Sequence, residues 1–231
     1  MSADAPAGPR TLIVGATGLV GQACVRTWLA DERVPQVLAL VRRPLRDAPL
    51  SPRLRVEVVE FAHLERRADL LAVDHVVCAL GTTRKQAGSK QAFRAVDFEL
   101  ALRVATLARH QGARHLLLVS AVGADARSPI FYNRVKGELE DAVKALGYPA
   151  LTVARPSLLV GERPRPRPGE ALGAVLGRLL PAAYRPVHAE QVAAALHDAA
   201  QRDLPGVHVL ENRELRRFAR LALSPTGSGT A

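Results

Sequence analysis

Short apolar runs alternate along this chain with longer stretches whose apolar positions recur at helical spacing. "RTLIVGATG" is a brief apolar run closed by glycine, and "LVGQACVRTWLADER" repeats Val20, Cys24 and Trp28 four residues apart, a period that turns one helical face to a core. "VLALV" (37–41), "LRVEVVEF" (54–61), "DHVVCALG" (74–81), "RHLLLVSAVG" (114–123) and "PALTVARPSLLV" (149–160) read as five more strands. Their near-continuous apolar character is that of strands buried on both faces. Helices are expected over "FRAVDFELALRVATLARHQG" (93–112, with a glycine stop), from Asn133 to about Leu146, near 170–180, over 189–202 and near 212–223, with one strand, "GVHVL" (206–210), before the last.

Strands alternating with helices predict βαβ units and an α/β fold, a doubly wound parallel sheet with helices on both faces. No internal repeat and no long linker divides the chain. One domain is expected over 1–223, with small substrate-side elements from about 157 to 223 and a flexible tail, "SPTGSGTA" (224–231). "GERPRPRPGE" (161–170) leaves the carboxyl end of the sixth strand. Its prolines forbid helix and favour a stiff extended loop, and ligands of such folds bind outside those strand ends. A lid is the expected role.

"VGATGLVG" sets Gly15, Gly18 and Gly21 between the first strand and the first helix. Without side chains there, the backbone turns sharply and approaches a pyrophosphate, and the amides of the helix N-terminus point at that anion. At the end of the second strand, an acidic residue would accept from a ribose 2′-hydroxyl. This chain has Arg42 and Arg43 instead. Guanidinium groups match a 2′-phosphate bidentately, so NADPH is the expected cofactor.

"YNRVK" puts Tyr132 and Lys136 on one helical face. The preceding strand ends in Ser120, twelve residues earlier. Together they form a carbonyl-reduction constellation. A free tyrosine has a pKa of about 10, and a neighbouring ammonium favours its phenolate. Tyr132 would then exchange the proton, Lys136 would also hold the nicotinamide ribose, and Ser120 would donate to the carbonyl oxygen.

Composition narrows the classes. With 231 residues, 48% hydrophobic and 23% charged, the chain is globular and large enough for a sizeable core. The formal net charge is +10, but the arginines are scattered and no nucleic-acid motif accompanies them, which argues against a nucleic-acid partner. Cys24 and Cys78 lie in apolar runs without metal-ligand spacing and read as buried reduced thiols; no metal site is expected. No apolar run is long enough to span a membrane, and "MSADAPAGPR" lacks the apolar stretch of a secretory signal. A cytoplasmic protein is expected.

"CALGTTRKQAGSKQAFRAVD" (78–97), "YNRVKGELE" and "RPGE" (167–170) resemble the atypical short-chain dehydrogenase/reductases of the Tat-interactive protein oxidoreductase family, over about residues 10 to 222. The resemblance implies a Rossmann-type fold holding NADPH. It places Thr17, Gly18, Leu19 and Val20 at the pyrophosphate, Arg42 and Arg43 at the 2′-phosphate, and Leu80 and Gly81 at a fourth-strand backbone contact. It sets Tyr132 and Lys136 at the nicotinamide ribose, Leu159 at the nicotinamide end, and Arg167 folded over the cofactor. The extra lysines of "KQAGSKQA" and the basic "RPRPR" run depart from the family pattern, and both border the substrate side. Two functions follow: an NADPH-dependent reductase of a small carbonyl compound, or an NADPH-binding regulatory module acting through a protein partner without significant turnover.

Overall fold

The computed structural model describes residues 8–45, 48–161 and 181–219. The first half runs β1 (Thr11–Val14), α1 (Leu19–Ala30), β2 (Val37–Val41), β3 (Leu54–Val58), a kinked 3-10 segment (Phe61–Leu71) and β4 (His75–Cys78). Short helices α2 (Arg84–Ala87) and α3 (Lys90–Arg94) follow, and α3 passes through a π-helical turn (Ala95–Leu100) into α4 (Ala101–His110). Then come β5 (His115–Val119), α5 (Phe131–Lys144), β6 (Ala150–Arg155), β7 (Leu159–Val160), β8 (Val187–His188), α6 (Ala189–Arg202), β9 (Gly206–Glu211) and α7 (Asn212–Leu215).

Seven strands form one sheet in the order β3-β2-β1-β4-β5-β6-β9, and every pairing in it is parallel. β1 lies between β2 and β4, with Thr11 opposite both Val37 and His75. The chain winds outward from β1 in one direction to β3 and then returns to start again at β4. That reversal opens a crevice at the carboxyl ends of β1 and β4. β7 and β8 pair in a separate two-stranded ribbon.

Alternation along the strands divides the core. Leu12, Val14, Leu116 and Leu118 face one layer, with Val104 and Ala108 of α4 and Leu139 and Val143 of α5. Ile13, Ala39, Val77 and Leu117 face the other, with Cys24 and Trp28 of α1 and Val192 and Leu196 of α6. The indole of Trp28 donates to Thr11 Oγ1 at 3.1 Å, so its polar edge is satisfied inside the core. Past the end of α1, Arg53 donates to the carbonyls of Leu29, Asp31 and Val34 at 2.5, 2.7 and 2.8 Å. One guanidinium thereby supplies the donors that a helix C-terminus lacks.

The strands are shorter than the apolar runs at their carboxyl ends. Val59–Glu60, Ala79–Gly81 and Ser120–Gly123 leave the ladder and become loops at the crevice end of the sheet, and Phe61 starts the 3-10 segment. The run read as one strand through 160 breaks after Arg155, where Pro156 has no amide for a ladder bond. The long helix expected over 93–112 begins at Lys90 and widens at Ala95–Leu100. The helix after β9 stops at Leu215. The helix near 170–180, the loop from 162 onward with Arg167, and the tail all lie outside the described residues.

Candidate dinucleotide and proton-transfer site

The glycine loop is built by contact distances that exclude side chains. Gly15 has φ +82°, and a Cβ there would fall 2.4 Å from the carbonyl oxygen of Ala79 at the end of β4. A Cβ on Gly21 would meet the Gly15 carbonyl oxygen at 2.1 Å. The turn therefore lies flat against the next strand, and the first turn of α1 lies flat against the loop. Gly18 is the N-cap of α1 with no side-chain capping bond, and the first turn carries no acidic residue. Its leading amides and the positive end of the helix dipole are left for an external anion. A pyrophosphate fits this cradle.

A cavity of about 570 Å³ opens in front of the loop, lined by Gly15–Gly18, Leu40–Arg42, Phe61 and Ala79–Thr82, with Val96 and Leu100 of the π-turn. Thus the ends of β1, β2 and β4 converge on one space, as the switch point demands. Thr17, Leu80 and Gly81 are on its wall; Leu19, Val20 and Gly21 stand behind it in α1. Both arginines at the end of β2 are exposed. Arg42 lines the cavity and Arg43 does not, a distinction the dipeptide itself could not supply. Among the described residues neither has a carboxylate partner.

Lys136 projects from the second turn of α5 into a buried position, its Nζ 2.9 Å from Asp97 Oδ1; the two side chains are 4% and 1% exposed. Asp97 lies in the π-turn, and its other oxygen accepts from the Thr82 amide at 2.8 Å. Such a turn adds a residue to the helical circuit and re-aims the side chains around it. A Cβ on Gly81 would lie 3.6 Å from Asp97 Oδ1 and 4.0 Å from Lys136 Nζ. The ammonium therefore sits directly beneath the loop that walls the cavity. Burial works against its charge, but attraction to Asp97 and to the neighbouring Tyr132 outweighs that cost, and its pKa is raised. Tyr132, one turn earlier on α5, is 37% exposed, its ring 5.6 Å from that of Phe93. Asp97 is the residue the motif reading missed as a participant. It stood inside the quoted family block, but nothing in linear spacing joins 97 to 136.

Ser120 is engaged by a second network. It stands at the end of β5, 4% exposed, and its hydroxyl donates to Glu140 Oε1 at 2.5 Å. Glu140 is itself buried on α5 and pairs with Arg155 at 2.6 Å, and Arg155 reaches Glu211 at 3.1 Å. Hydrogen bonding to Glu140 raises the Arg155 pKa. A hydroxyl has one proton to donate, and here a carboxylate takes it. Ser120 thus ties β5 to α5 and is not brought together with Tyr132 and Lys136 as a free donor. Leu159 is half-buried in β7. A Cβ on Gly161, just beyond that strand, would meet Leu19 Cδ1 at 2.9 Å, so this segment comes down on the glycine-loop end of α1.

A parallel sheet whose winding reverses at an uncapped glycine loop, with a cavity spanning the ends of three strands, defines a Rossmann-type dinucleotide-binding protein. The chain belongs to the NAD(P)H-binding family, which it matches over residues 15–202. Within it the chain falls among the atypical short-chain dehydrogenase/reductases with HTATIP2 and FMP52. It is 32% identical to Protein HTATIP2 of Rattus norvegicus over 214 residues, covering 90% of this chain and 88% of that one. It is 31% identical to Protein FMP52, mitochondrial, of Candida albicans over 207 residues, covering 85% and 90%. Solved structures of the same fold include MoeE5 in complex with UDP-glucuronic acid and NAD (TM-score 0.69, 18% identity, 87% and 75% covered). WbmG of Bordetella bronchiseptica in complex with NAD is another (0.67, 19%, 91% and 74%).

These relatives overturn the cytoplasmic expectation: the FMP52 proteins of Candida albicans, Emericella nidulans and Eremothecium gossypii are named as mitochondrial. Mitochondrial targeting uses amphipathic segments, which an apolar-run reading does not detect. Among the described residues no helix is long and apolar enough to cross a membrane.

Proposed function

We propose that this chain binds NADPH in preference to NADH and reduces a small carbonyl compound, with Tyr132 and Lys136 managing the proton. The observation that carries this reading is the placement of Lys136, a buried ammonium fixed by Asp97 beneath Gly81 and one helical turn from the Tyr132 phenol. When bound, NADPH supplies hydride to the carbonyl carbon. The phenol of Tyr132 donates its proton to the carbonyl oxygen, and Lys136 stabilises the phenolate left behind. Lys136 also donates to the nicotinamide ribose, so its charge serves binding and proton transfer together. Asp97 keeps that charge in place. Arg42, on the cavity wall, donates to the 2′-phosphate, with Arg43 adding charge from outside.

The engagement of Ser120 with Glu140 supports a second reading. With no free hydroxyl donor at the end of β5, the chain would be an NADPH-binding module whose occupancy is read by a protein partner. One experiment separates the two. Protein, NADPH and a panel of carbonyl compounds are mixed, and nicotinamide absorbance is followed for the parent and for Tyr132→Phe. Turnover that the substitution abolishes supports the reductase; saturable NADPH binding with no consumption across the panel supports the module.

A further inference from the structure

At the amino ends of the central strands, opposite the cofactor crevice, three potential metal ligands meet. His75 opens β4 and His115 opens β5, and the two are direct partners in the parallel register. Both are 1% exposed, in strands otherwise apolar. Asp203 comes from the far end of the chain, as the C-cap of α6 in a left-handed conformation, φ 46° and ψ 41°. It is the one non-glycine residue with positive φ among the described residues. One ligand atom from each of the three lies within 4.8 Å of the other two. His115 Nδ1 is 2.9 Å from Asp203 Oδ1, and His75 Nε2 is 3.3 Å from Asp203 Oδ2.

A guanidinium now shares this space. Arg114 donates from Nε to Asp203 Oδ2 at 2.7 Å, and its Nη2 lies 3.3 Å from His75 Nε2. That leaves His75 Nε2 with two neighbours it cannot both satisfy. Carrying a proton, it donates to Asp203 and faces an N–H of Arg114. Bare, it accepts from Arg114 and faces a carboxylate oxygen. A cation without hydrogens resolves the conflict, because His75, His115 and Asp203 can each present a lone pair to it once Arg114 withdraws. The remaining parts of the cluster accommodate one. His115 Nε2 is 3.0 Å from Thr152 Oγ1, a hydroxyl that can accept from Nε2–H once Nδ1 is freed for a metal. Arg114 is 48% exposed and has a second carboxylate at hand, Asp74, 4.0 Å from its Nη1.

We propose that His75 Nε2, His115 Nδ1 and the Asp203 carboxylate form a site for a divalent transition metal of the zinc class, which Arg114 occupies when the metal is absent. Two imidazoles and a carboxylate are a zinc donor set, and water completes the tetrahedron. Binding moves Arg114 toward Asp74 and ties the starts of β4 and β5 to the end of α6. The site is independent of the NADPH reading, since it lies at the opposite ends of the strands.

Zinc titration of the full chain by calorimetry tests it, with cobalt(II) absorption as a second readout of tetrahedral coordination. One equivalent should bind. Asp203→Asn keeps a residue that tolerates the left-handed cap, so it stays folded, and it should weaken binding by roughly 10–100-fold. Arg114→Gln removes the competing occupant and should tighten binding several-fold, while both variants keep the parent affinity for NADPH. Absence of saturable zinc binding overturns the proposal. So does binding that survives Asp203→Asn, or an Arg114→Gln protein that takes zinc no more tightly than the parent.

Discussion

Asp97 Oδ1 lies 2.9 Å from Lys136 Nζ, with both side chains almost wholly out of water. The contact is a buried ion pair. A buried charge stripped of its partner costs about 3–5 kcal/mol. Asp97→Asn should therefore lower stability by that order in urea unfolding, and should weaken NADPH binding by loosening Lys136. The pH dependence has a definite sign. The Lys136 pKa is raised in the folded protein, so the pair contributes fully below the ordinary lysine value and is lost as pH rises through the folded one. With Asp97 neutralised, burial acts on Lys136 without its main counterweight. The alkaline fall in stability should then begin at lower pH than in the parent.

Arg42 and Arg43 should separate in cofactor selection, because only Arg42 lines the cavity. Arg42→Asp removes the proposed charge-assisted bonds to a 2′-phosphate, about 1.5–3 kcal/mol, and places a carboxylate where a ribose hydroxyl can donate to it. Calorimetry with both cofactors should find NADPH weakened by roughly 10–100-fold and NADH unchanged or improved. Arg43→Ala should have a smaller effect. Equal losses for the two cofactors in Arg42→Asp would mean that this side chain does not read the phosphate.

The sheet was legible because its strands are short, apolar and separated by helical spacing, so the pattern alone puts Leu38 and Val76 in buried strands. The glycine loop was legible because Gly15 and Gly21 answer to backbone contacts as close as 2.4 and 2.1 Å, and only glycine meets them. What the linear pattern could not supply was pairing across distance. Asp97 meets Lys136 through a π-turn that α-helical periodicity conceals, and Asp203 meets His115 from 88 residues away. The Ser120 contact was hidden for the same reason: its place at the strand end was legible, but not that Glu140, twenty residues on, accepts its hydrogen bond.

Tyr132 and Lys136 should fail in different ways. Tyr132→Phe removes a proton donor that is 37% exposed, so it should abolish carbonyl reduction and leave NADPH affinity within about threefold of the parent, under 1 kcal/mol. Lys136→Ala removes the proposed ribose contact and leaves Asp97 buried without its cation, so binding, turnover and stability should all fall. Stopped-flow turnover beside equilibrium binding distinguishes the two. A Tyr132→Phe protein with parental turnover would sink the proton-transfer role.

Ser120→Ala is the sharpest test of what the end of β5 does. Among the described residues Glu140 accepts from two side chains, the Ser120 hydroxyl and, through two N–H groups, Arg155. Losing a hydrogen bond to a buried carboxylate costs about 1.5–3 kcal/mol, part of which Arg155 retains by staying paired. The variant should thus unfold at lower urea concentration. Its reductase turnover on any confirmed substrate should stay within about twofold of the parent, a barrier change under 1 kcal/mol. A substrate-side donor behaves in the opposite way: its removal costs about 3–4 kcal/mol of barrier, or 100–1,000-fold in turnover, with little change in stability. Glu140→Gln supplies the control, since it disturbs the same network from the helix side without touching the hydroxyl. If Ser120→Ala slows turnover by such a factor while Glu140→Gln does not, the serine must leave Glu140 when substrate binds, and its anchoring role would be confined to the resting state.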